Sequence, residues 1–406
     1  MEGIQDQVWG HGFIPRMSGR SRPGIMQALG PRDLFTKSEL SIPYMIVDAH
    51  LTLEDSDLQV SFRDRNVSMI VDTQAWRYSD PRTWNSKWGN VPYAPRSPFN
   101  GHRTWVHDYI ISDLSAQIRM GSGYLMLPGW FTSLESVKLA RDVTTWTLEA
   151  FEEFRRKGVL APAIAWLPAR GGSADASLAS AEAYAESGAV RGIYVQWARA
   201  NGLHDPVDQL KRSARLMLQI QNLGLPVIAG HFGSIGLAMR AVGIAAADCG
   251  PCEGQSFDAS DSIRAALPRT PPVSSSTGKG LPVRMWVREL GQTVTARQMA
   301  AIRGSRTALA EVYCRRACHR FRLGRDTVSV AVHHSTLSLY EEARQQSALP
   351  ISMRVDAAAR SLRETKTRIE LINPALTNAK QQALRQDHLD VQLALLAEAR
   401  TLHGVA

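Results

Sequence analysis

Residues 226–248 read PVIAGHFGSIGLAMRAVGIAAAD, and their pattern indicates the fold class. Two short apolar runs, Pro226–Ala229 and Ile244–Ala247, are typical of buried parallel strands. The stretch Ser234–Val242 between them has the spacing of an amphipathic helix. A strand, a helix and a second strand in such close succession predict a βαβ unit, in which the helix covers one face of a parallel sheet.

The same alternation extends towards the N-terminus. Further apolar runs lie at Tyr44–Val47, Val67–Val71, Gly123–Leu127, Ala161–Trp166 and Gly192–Val195. Helical patterns lie at Leu134–Arg156, Ala174–Ser187 and Val207–Leu223. Because so many units follow one another, the sequence predicts an α/β protein built on a closed (β/α)8 TIM-like barrel rather than an open doubly wound sheet.

Changes in composition predict the domain boundaries. We expect an irregular Gly-, Pro- and Arg-rich N-terminal arm over 1–42, the barrel over 43–266, a flexible Pro/Ser/Gly loop over 267–280, a basic segment over 281–345, and a helical C-terminal extension over 346–406. Helical patterns in the last third lie at Thr295–Arg316, with Thr295 as its N-cap, and at Ser352–Leu371 and Asn378–Leu402.

Composition excludes several classes of protein. Hydrophobic residues make up 44% and charged residues 21% of the chain, as in soluble globular proteins, so a wholly disordered or fibrous chain is excluded. No run approaches the roughly 18 apolar residues of a membrane span. The first residues, MEGIQDQVWGHGF, lack the order of a signal peptide. We therefore expect a cytoplasmic protein without membrane contact.

The net charge of +9 is concentrated in the last third of the chain. Residues 1–260 hold 25 Lys and Arg against 26 Asp and Glu, whereas residues 261–406 hold 22 against 12. A polyanion such as a nucleic acid is the natural partner of such a segment, and a basic but unengaged surface is the alternative.

Two aspartates directly follow predicted strands. Asp72 follows the run Val67–Val71, and Asp248 follows Ile244–Ala247. In a barrel of this type the reactive groups lie at the carboxyl ends of the strands, so both carboxylates would face one pocket. Such a pair can divide the work of nucleophile and acid/base, although a helix cap or loop residue is the alternative for each.

Two segments resemble the tRNA-guanine transglycosylase superfamily. LGLPVIAGHFGSIGLAMRAVGIAAADCGP resembles the part of that barrel in which a strand ending in Gly precedes a helix and then a strand ending in Asp-Cys. VDTQAWR resembles the family's strand that ends in Asp before a small-residue loop and an aromatic residue. The resemblance spans residues 44–340 and is closest to the branch that inserts 7-deazaguanines into DNA.

The resemblance implies a base-exchange reaction. Asp248 would attack C1′ of a nucleotide as the guanine leaves, an incoming 7-deazaguanine precursor would displace the covalent intermediate, and Asp72 would move protons. It implies a nucleic-acid partner, with DNA favoured over tRNA, partner proteins of a modification system, and no redox cofactor. The candidate base-binding residues are Trp76, Trp166, Gln196, Gly230 and His231.

The chain departs from the family pattern in the base pocket. Pro128 and Gly129 stand where the family has an Asp that reads guanine, and Gln74-Ala75 stands where it has Gly-Gly. IAWLP lacks the family's base-binding Gln, a role that Gln196 could take. These departures favour the reaction type and leave the identity of the base open.

The basic segment carries the remaining candidate sites. Cys314 and Cys318, with His333 or His334, resemble in position the family's structural zinc site, although a fourth ligand is not evident. The adjacent arginines suit phosphate binding and form the predicted nucleic-acid contact: Arg315, Arg316, Arg320, Arg322 and Arg325.

Three alternative readings stay open at this point. The first is a metal-dependent TIM-barrel hydrolase with His50, His231 and Asp248 as ligands. The second is a non-catalytic nucleic-acid-binding barrel that serves as a subunit of a modification or defence complex. The third is redox or metal chemistry at Cys249 and Cys252.

Overall fold

The computed structural model describes residues 9, 11–18, 22–28, 43–54, 56–79, 84, 91–198, 200–201, 207–232, 235–249, 256–257, 284–312 and 328–402. Eight parallel strands alternate with helices in a (β/α)8 TIM-like barrel, which confirms the predicted fold class. The strands are β1 (Phe13–Met17), β2 (Tyr44–Asp48), β3 (Ser68–Asp72), β4 (Leu125–Leu127), β5 (Ala163–Ala169), β6 (Ile193–Trp197), β7 (Val227–Gly230) and β8 (Ala246–Cys249).

The sheet curls until its two end strands meet. Its strand order is β3-β2-β1-β8-β7-β6-β5-β4. The end strands β3 and β4 are joined by a parallel bridge between Ile70 and Tyr124. The N–H of Gly123 also donates a hydrogen bond of 2.7 Å to the carbonyl of Met69. This seam closes the barrel with fewer backbone contacts than the other strand pairs have.

The first strand lies in the segment that the sequence predicts to be an irregular arm. β1, FIPRM, pairs in parallel with β2 on one side and with β8 on the other. The helix α1 (Arg22–Ala28) also lies in this segment. The prediction of an irregular arm over 1–42 is therefore wrong at these residues. Arg16 breaks the apolar pattern of the strand, but the barrel interior supplies carboxylates that neutralise it.

All seven strands predicted from apolar runs are present, and the helices follow the predicted pattern. The helices of the barrel are α2 (Ala49–Glu54), α3 (Ser56–Arg63), α4 (Arg103–Arg119), α5 (Val137–Arg156), α6 (Ala174–Ser187), α7 (Val207–Asn222) and α8 (Ile235–Val242). α5 starts after Ser136, whose side chain accepts a hydrogen bond from the Leu139 N–H and so caps the helix.

Alternating side chains along each strand separate two cores. Ile14, Ile46 and Ile70 belong to a cluster inside the barrel, whereas Val47 and Val71 belong to the cluster between strands and helices. Since side chains alternate with a period of two, the residues two positions after the isoleucines also point inward. Those residues are Arg16, Asp48 and Asp72.

The C-terminal part is helical around a hairpin. β9 (Arg284–Val287) pairs antiparallel with β10 (Gln292–Thr295). The helices are α9 (Ala296–Gly304), α10 (Arg306–Glu311), α11 (Val328–Ser347), α12 (Ile351–Asn378) and α13 (Asp387–Leu402). Thr295 caps α9 as predicted, but Ser305 divides the predicted helix Thr295–Arg316 by capping α10.

A second hydrophobic core joins the two predicted C-terminal segments. Met285, Leu290 and Ile302 from one segment pack with Ile369 and Leu389 from the other. The predicted division between 281–345 and 346–406 therefore does not separate two cores. The predicted loop 267–280 lies outside the described residues. Of the helices described, none has both the length and the hydropathy needed to cross a bilayer.

Candidate active site

A buried arginine holds three aspartates together at the carboxyl ends of the strands. Arg16 Nη1 donates hydrogen bonds of 2.8 Å to Asp48 Oδ1 and 2.8 Å to Asp72 Oδ2, and its Nε donates one of 2.9 Å to Asp248 Oδ2. The side chains are only 7% exposed for Arg16, 11% for Asp48, 4% for Asp72 and 0% for Asp248. The two predicted catalytic aspartates therefore converge on one buried site.

Asp248 is fixed through one oxygen only. Its Oδ2 accepts the bond from Arg16 and a second one of 2.6 Å from the Tyr194 hydroxyl. Its Oδ1 is buried and has no hydrogen-bond partner in the part of the chain that the structure describes. Because guanidinium nitrogens lie about 2.3 Å apart, the bonded oxygens of Asp72 and Asp248 are within about 8 Å of each other. This spacing is compatible with carboxylates that act as a pair.

The loop after β3 positions Asp72. The N–H of Gln74 donates a hydrogen bond of 2.8 Å to Asp72 Oδ1, and Gln74 takes the left-handed backbone conformation with φ of 55°. Trp76 follows on the 3₁₀ turn Ala75–Ser79 and is buried. The guanidinium of Arg77 lies 4.6 Å from the centre of the Trp76 ring, and Arg77 Nε donates to Gln74 Oε1 at 2.6 Å.

The remaining predicted base-binding residues line the same interior. Trp166 Nε1 donates a hydrogen bond of 2.6 Å to Gln196 Oε1, and Gln196 Nε2 has no partner among the described residues. Gly230 lies against Tyr194, since a Cβ there would be 2.4 Å from the ring. His231 has φ of 59°, a strained conformation for a residue other than Gly. Trp76, Gly230 and His231 therefore lie close to the acidic cluster or to Tyr194. Trp166 and Gln196 bond each other on the neighbouring strands β5 and β6.

Burial and charge set the protonation of the cluster. Burial opposes the charge of Arg16, but Tyr194 and the three aspartates outweigh it and raise the pKa of Arg16 well above its usual range. Burial raises the pKa of Asp48, which Arg16 opposes and Asp72 reinforces. Burial, together with the positive charge of Arg16, lowers the pKa of His231 to about 4, so its imidazole is neutral near pH 7.

A second buried carboxyl lies behind Asp72. Asp113 on α4 accepts hydrogen bonds from Tyr109 at 3.1 Å and from Gln117 at 2.7 Å. Thr73, next to Asp72, also lies close enough to Asp113 to lower the pKa of that carboxyl. Burial raises the pKa of Asp113 to about 7, against the effect of these donors. Thr73 therefore connects α4 to the loop that positions Asp72.

The zinc and nucleic-acid sites can be located only in part. Cys314, Cys318 and the arginines at 315, 316, 320, 322 and 325 lie outside the described residues. His333 and His334 lie on α11 and are buried, and His334 Nε2 is 3.4 Å from Ser338 Oγ. Successive helical residues point about 100° apart, so one ion would take one of these two histidines. The zinc site stays a prediction.

The hydrolase alternative gains no support from the described residues. Within those ranges no three His, Cys, Asp or Glu side chains are grouped as metal ligands would be. A guanidinium stands between the three carboxylates. Of the Cys249 and Cys252 pair, Cys252 lies outside the described ranges.

The sequence did not indicate Arg16, Asp48 or Tyr194 as site residues. The signal that could have found Asp48 is the strand-exit rule, because β2 ends in Asp as β3 does. Arg16 and Tyr194 stand in strands among apolar residues, and only the barrel geometry gives them partners.

Comparison of the chain with protein-family models and with curated protein sequences gives no match. The geometry of the acidic cluster is therefore what a functional assignment can be built on.

Proposed function

We propose that the protein is a base-exchange transglycosylase. It would replace a guanine in a nucleic acid, DNA in preference to tRNA, with a 7-deazaguanine precursor, through a covalent bond between Asp248 and C1′ of the nucleotide. The observation that carries the proposal is the asymmetry of Asp248: Arg16 and Tyr194 hold Oδ2, while Oδ1 has no partner among the described residues. A nucleophilic carboxylate needs one oxygen held in place and the other free to attack.

The charge of the cluster supports the same chemistry. Three buried carboxyl groups lie near the guanidinium groups of Arg16 and Arg77, and Asp248 hydrogen-bonds to Arg16. Departure of a base from C1′ builds positive charge on the sugar, which the carboxylate of Asp248 beside C1′ would stabilise. Preorganised charge in a site that excludes water is worth more than the same charge in solvent.

The barrel interior also supplies the groups that a flipped base needs. Trp76 and Trp166 offer aromatic surface, and Gln196 Nε2 offers a buried donor. Asp248 is fully buried, so a nucleotide reaches Oδ1 only when residues at the mouth of the barrel move aside. Extrusion of a nucleotide from a duplex costs a few kcal/mol, which stacking and hydrogen bonding in such a pocket offset.

The test is a search for the covalent intermediate. The protein is incubated in parallel with guanine-containing DNA and with tRNA, each with radiolabelled guanine or a 7-deazaguanine precursor, and adducts that survive denaturation are resolved on a gel. We expect an adduct and label incorporation with the wild-type protein and neither with Asp248→Asn. Asp390→Asn is the matched control, because Asp390 is exposed on α13 and pairs with Lys366 at 2.8 Å.

An adduct that persists in Asp248→Asn would overturn the assignment of the nucleophile. A wild-type protein that binds nucleic acid tightly but forms no adduct and exchanges no base would overturn the proposal and favour the non-catalytic barrel subunit.

A further inference from the structure

A third carboxylate stands in the cluster, and the family resemblance gives it no role. Asp48 ends β2 and is the register partner of Asp72 at the end of β3. Both accept a hydrogen bond of 2.8 Å from the same atom, Nη1 of Arg16. Base exchange needs a group that donates and later accepts a proton. By position alone, either Asp48 or Asp72 could be that group.

Hydrogen bonding distinguishes Asp48 from Asp72. Both oxygens of Asp72 accept N–H bonds, Oδ2 from Arg16 and Oδ1 from Gln74. A proton on either oxygen would compete with a bond that holds the loop. Asp48 accepts one bond only among the described residues, at Oδ1 from Arg16. Its side chain is 11% exposed, against 4% for Asp72, so its second oxygen has the better access to a ligand.

The surroundings of Asp48 raise its pKa on balance. The titratable and charged groups that interact with it are Arg16 from β1, Asp72 from β3, His50 from α2, Arg77 from the 3₁₀ turn, and Tyr93. Burial raises the pKa of Asp48 most, Arg16 lowers it, Asp72 raises it and His50 lowers it, with a net rise. A buried carboxyl beside a second carboxylate is the usual arrangement for a general acid.

We infer that Asp48, and not Asp72, carries the proton in the base-exchange reaction proposed above, on which this inference rests. As Asp248 Oδ1 bonds to C1′, the C1′–N9 bond breaks and its electron pair stays with the guanine, while the proton of Asp48 passes to N7. In the second half-reaction the incoming base gives its N9 proton to the Asp48 carboxylate and N9 bonds to C1′. The C1′–O electron pair then returns to Asp248. Asp72 becomes a positioning residue that acts through Arg16.

The test compares two leaving groups. An oligonucleotide with N7-methylguanine carries a base that is already cationic and departs without a proton, whereas guanine needs one. Adduct formation is measured with both substrates for the wild type, Asp48→Asn and Asp72→Asn. For Asp48→Asn we expect a loss of about 10²–10⁴-fold with guanine and less than about tenfold with N7-methylguanine. For Asp72→Asn we expect similar losses with both substrates. Activity on N7-methylguanine shows that Asp48→Asn is folded, and circular dichroism checks the fold of Asp72→Asn.

The pH profile gives a second readout, which a merely structural role would not move. Because the protonated acid is the active form, the wild-type rate with guanine should fall as pH rises through the raised pKa of Asp48. This decline should be absent with N7-methylguanine and in Asp48→Asn.

Equal losses on both substrates in Asp48→Asn, or selective recovery with N7-methylguanine in Asp72→Asn, would overturn the inference while leaving the proposed function in place. A wild-type protein that forms no adduct with either substrate would instead overturn the proposed function, and this inference with it.

Discussion

Gly230 occupies a position where the structure leaves no room for a side chain. A Cβ at Gly230 would lie 2.4 Å from Cζ and 2.6 Å from the hydroxyl of Tyr194, whose ring is fully buried. In Gly230→Ala the ring must therefore shift, which disturbs the hydrogen bond from its hydroxyl to Asp248. Overpacking by one methyl group costs about 1–3 kcal/mol. Loss of a hydrogen bond to a charged acceptor costs a further 1.5–3 kcal/mol, approximately. We expect the free energy of unfolding to fall by about 2.5–6 kcal/mol.

Urea unfolding followed by circular dichroism measures this loss. Gly172→Ala is the matched control, because a Cβ at Gly172 would meet no atom within 4 Å. Removing the ring should relieve the clash, so the loss in Gly230→Ala/Tyr194→Ala should be smaller than the sum of the single losses by at least about 0.5 kcal/mol. Gly230→Ala as stable as Gly172→Ala to within about 0.5 kcal/mol would refute the reasoning.

Three further predictions concern the cluster and its support. Tyr194→Phe removes one of the two donors that the described residues supply to Asp248 Oδ2, and we expect adduct formation to fall by about 10–100-fold. Tyr184→Phe, the control at another buried tyrosine, should change the rate little. Equal rates in the two variants would contradict the prediction. Arg16→Met removes the cation that hydrogen-bonds all three buried aspartates, so thermal unfolding should show a loss of about 3–5 kcal/mol near pH 7 and a smaller loss in acid. A loss no larger than that of the exposed Arg297→Met would speak against this prediction. Because burial raises the pKa of Asp113 from 3.8 to about 7, the free energy of unfolding of the wild type should fall by up to roughly 4 kcal/mol as pH rises through that window. Asp113→Asn should lack this pH dependence. Denaturant titrations that give the two proteins the same pH dependence of stability would contradict the prediction.

The sequence predicts the barrel strands that consist of apolar residues, but it does not predict β1, which carries a charged residue in its interior. The strands Val227–Gly230 and Ala246–Cys249 overlap continuous apolar runs, so the runs predict them. Phe13–Met17 includes Pro15 and Arg16, and it qualifies as a strand only because the interior of the closed barrel neutralises the arginine. Such a requirement depends on partners up to 232 positions away in the chain, which no local pattern reveals.

The site residues, like the strands, are predictable only where a local sequence pattern indicates them. Asp72 and Asp248 were predicted as a pair because strand exits in barrels carry reactive groups. Arg16, which donates hydrogen bonds to both aspartates, could not be predicted, because it lies in a strand that the apolar pattern does not indicate. The left-handed conformations at Gln74 and His231 were also unpredictable, because neither residue is the Gly that usually marks such positions.

The pairing of β1 with β8 has a consequence for synthesis of the chain on the ribosome. Phe13 is in register with Ala247, and Ile14 with Asp248, so the first strand cannot complete its pairing until the eighth has been translated. Contacts this distant in sequence form slowly, and an unpaired strand edge is exposed to aggregation in the meantime. The nascent barrel would thus remain open throughout most of translation, and the ion pair of Arg16 with Asp248 would form after those with Asp48 and Asp72.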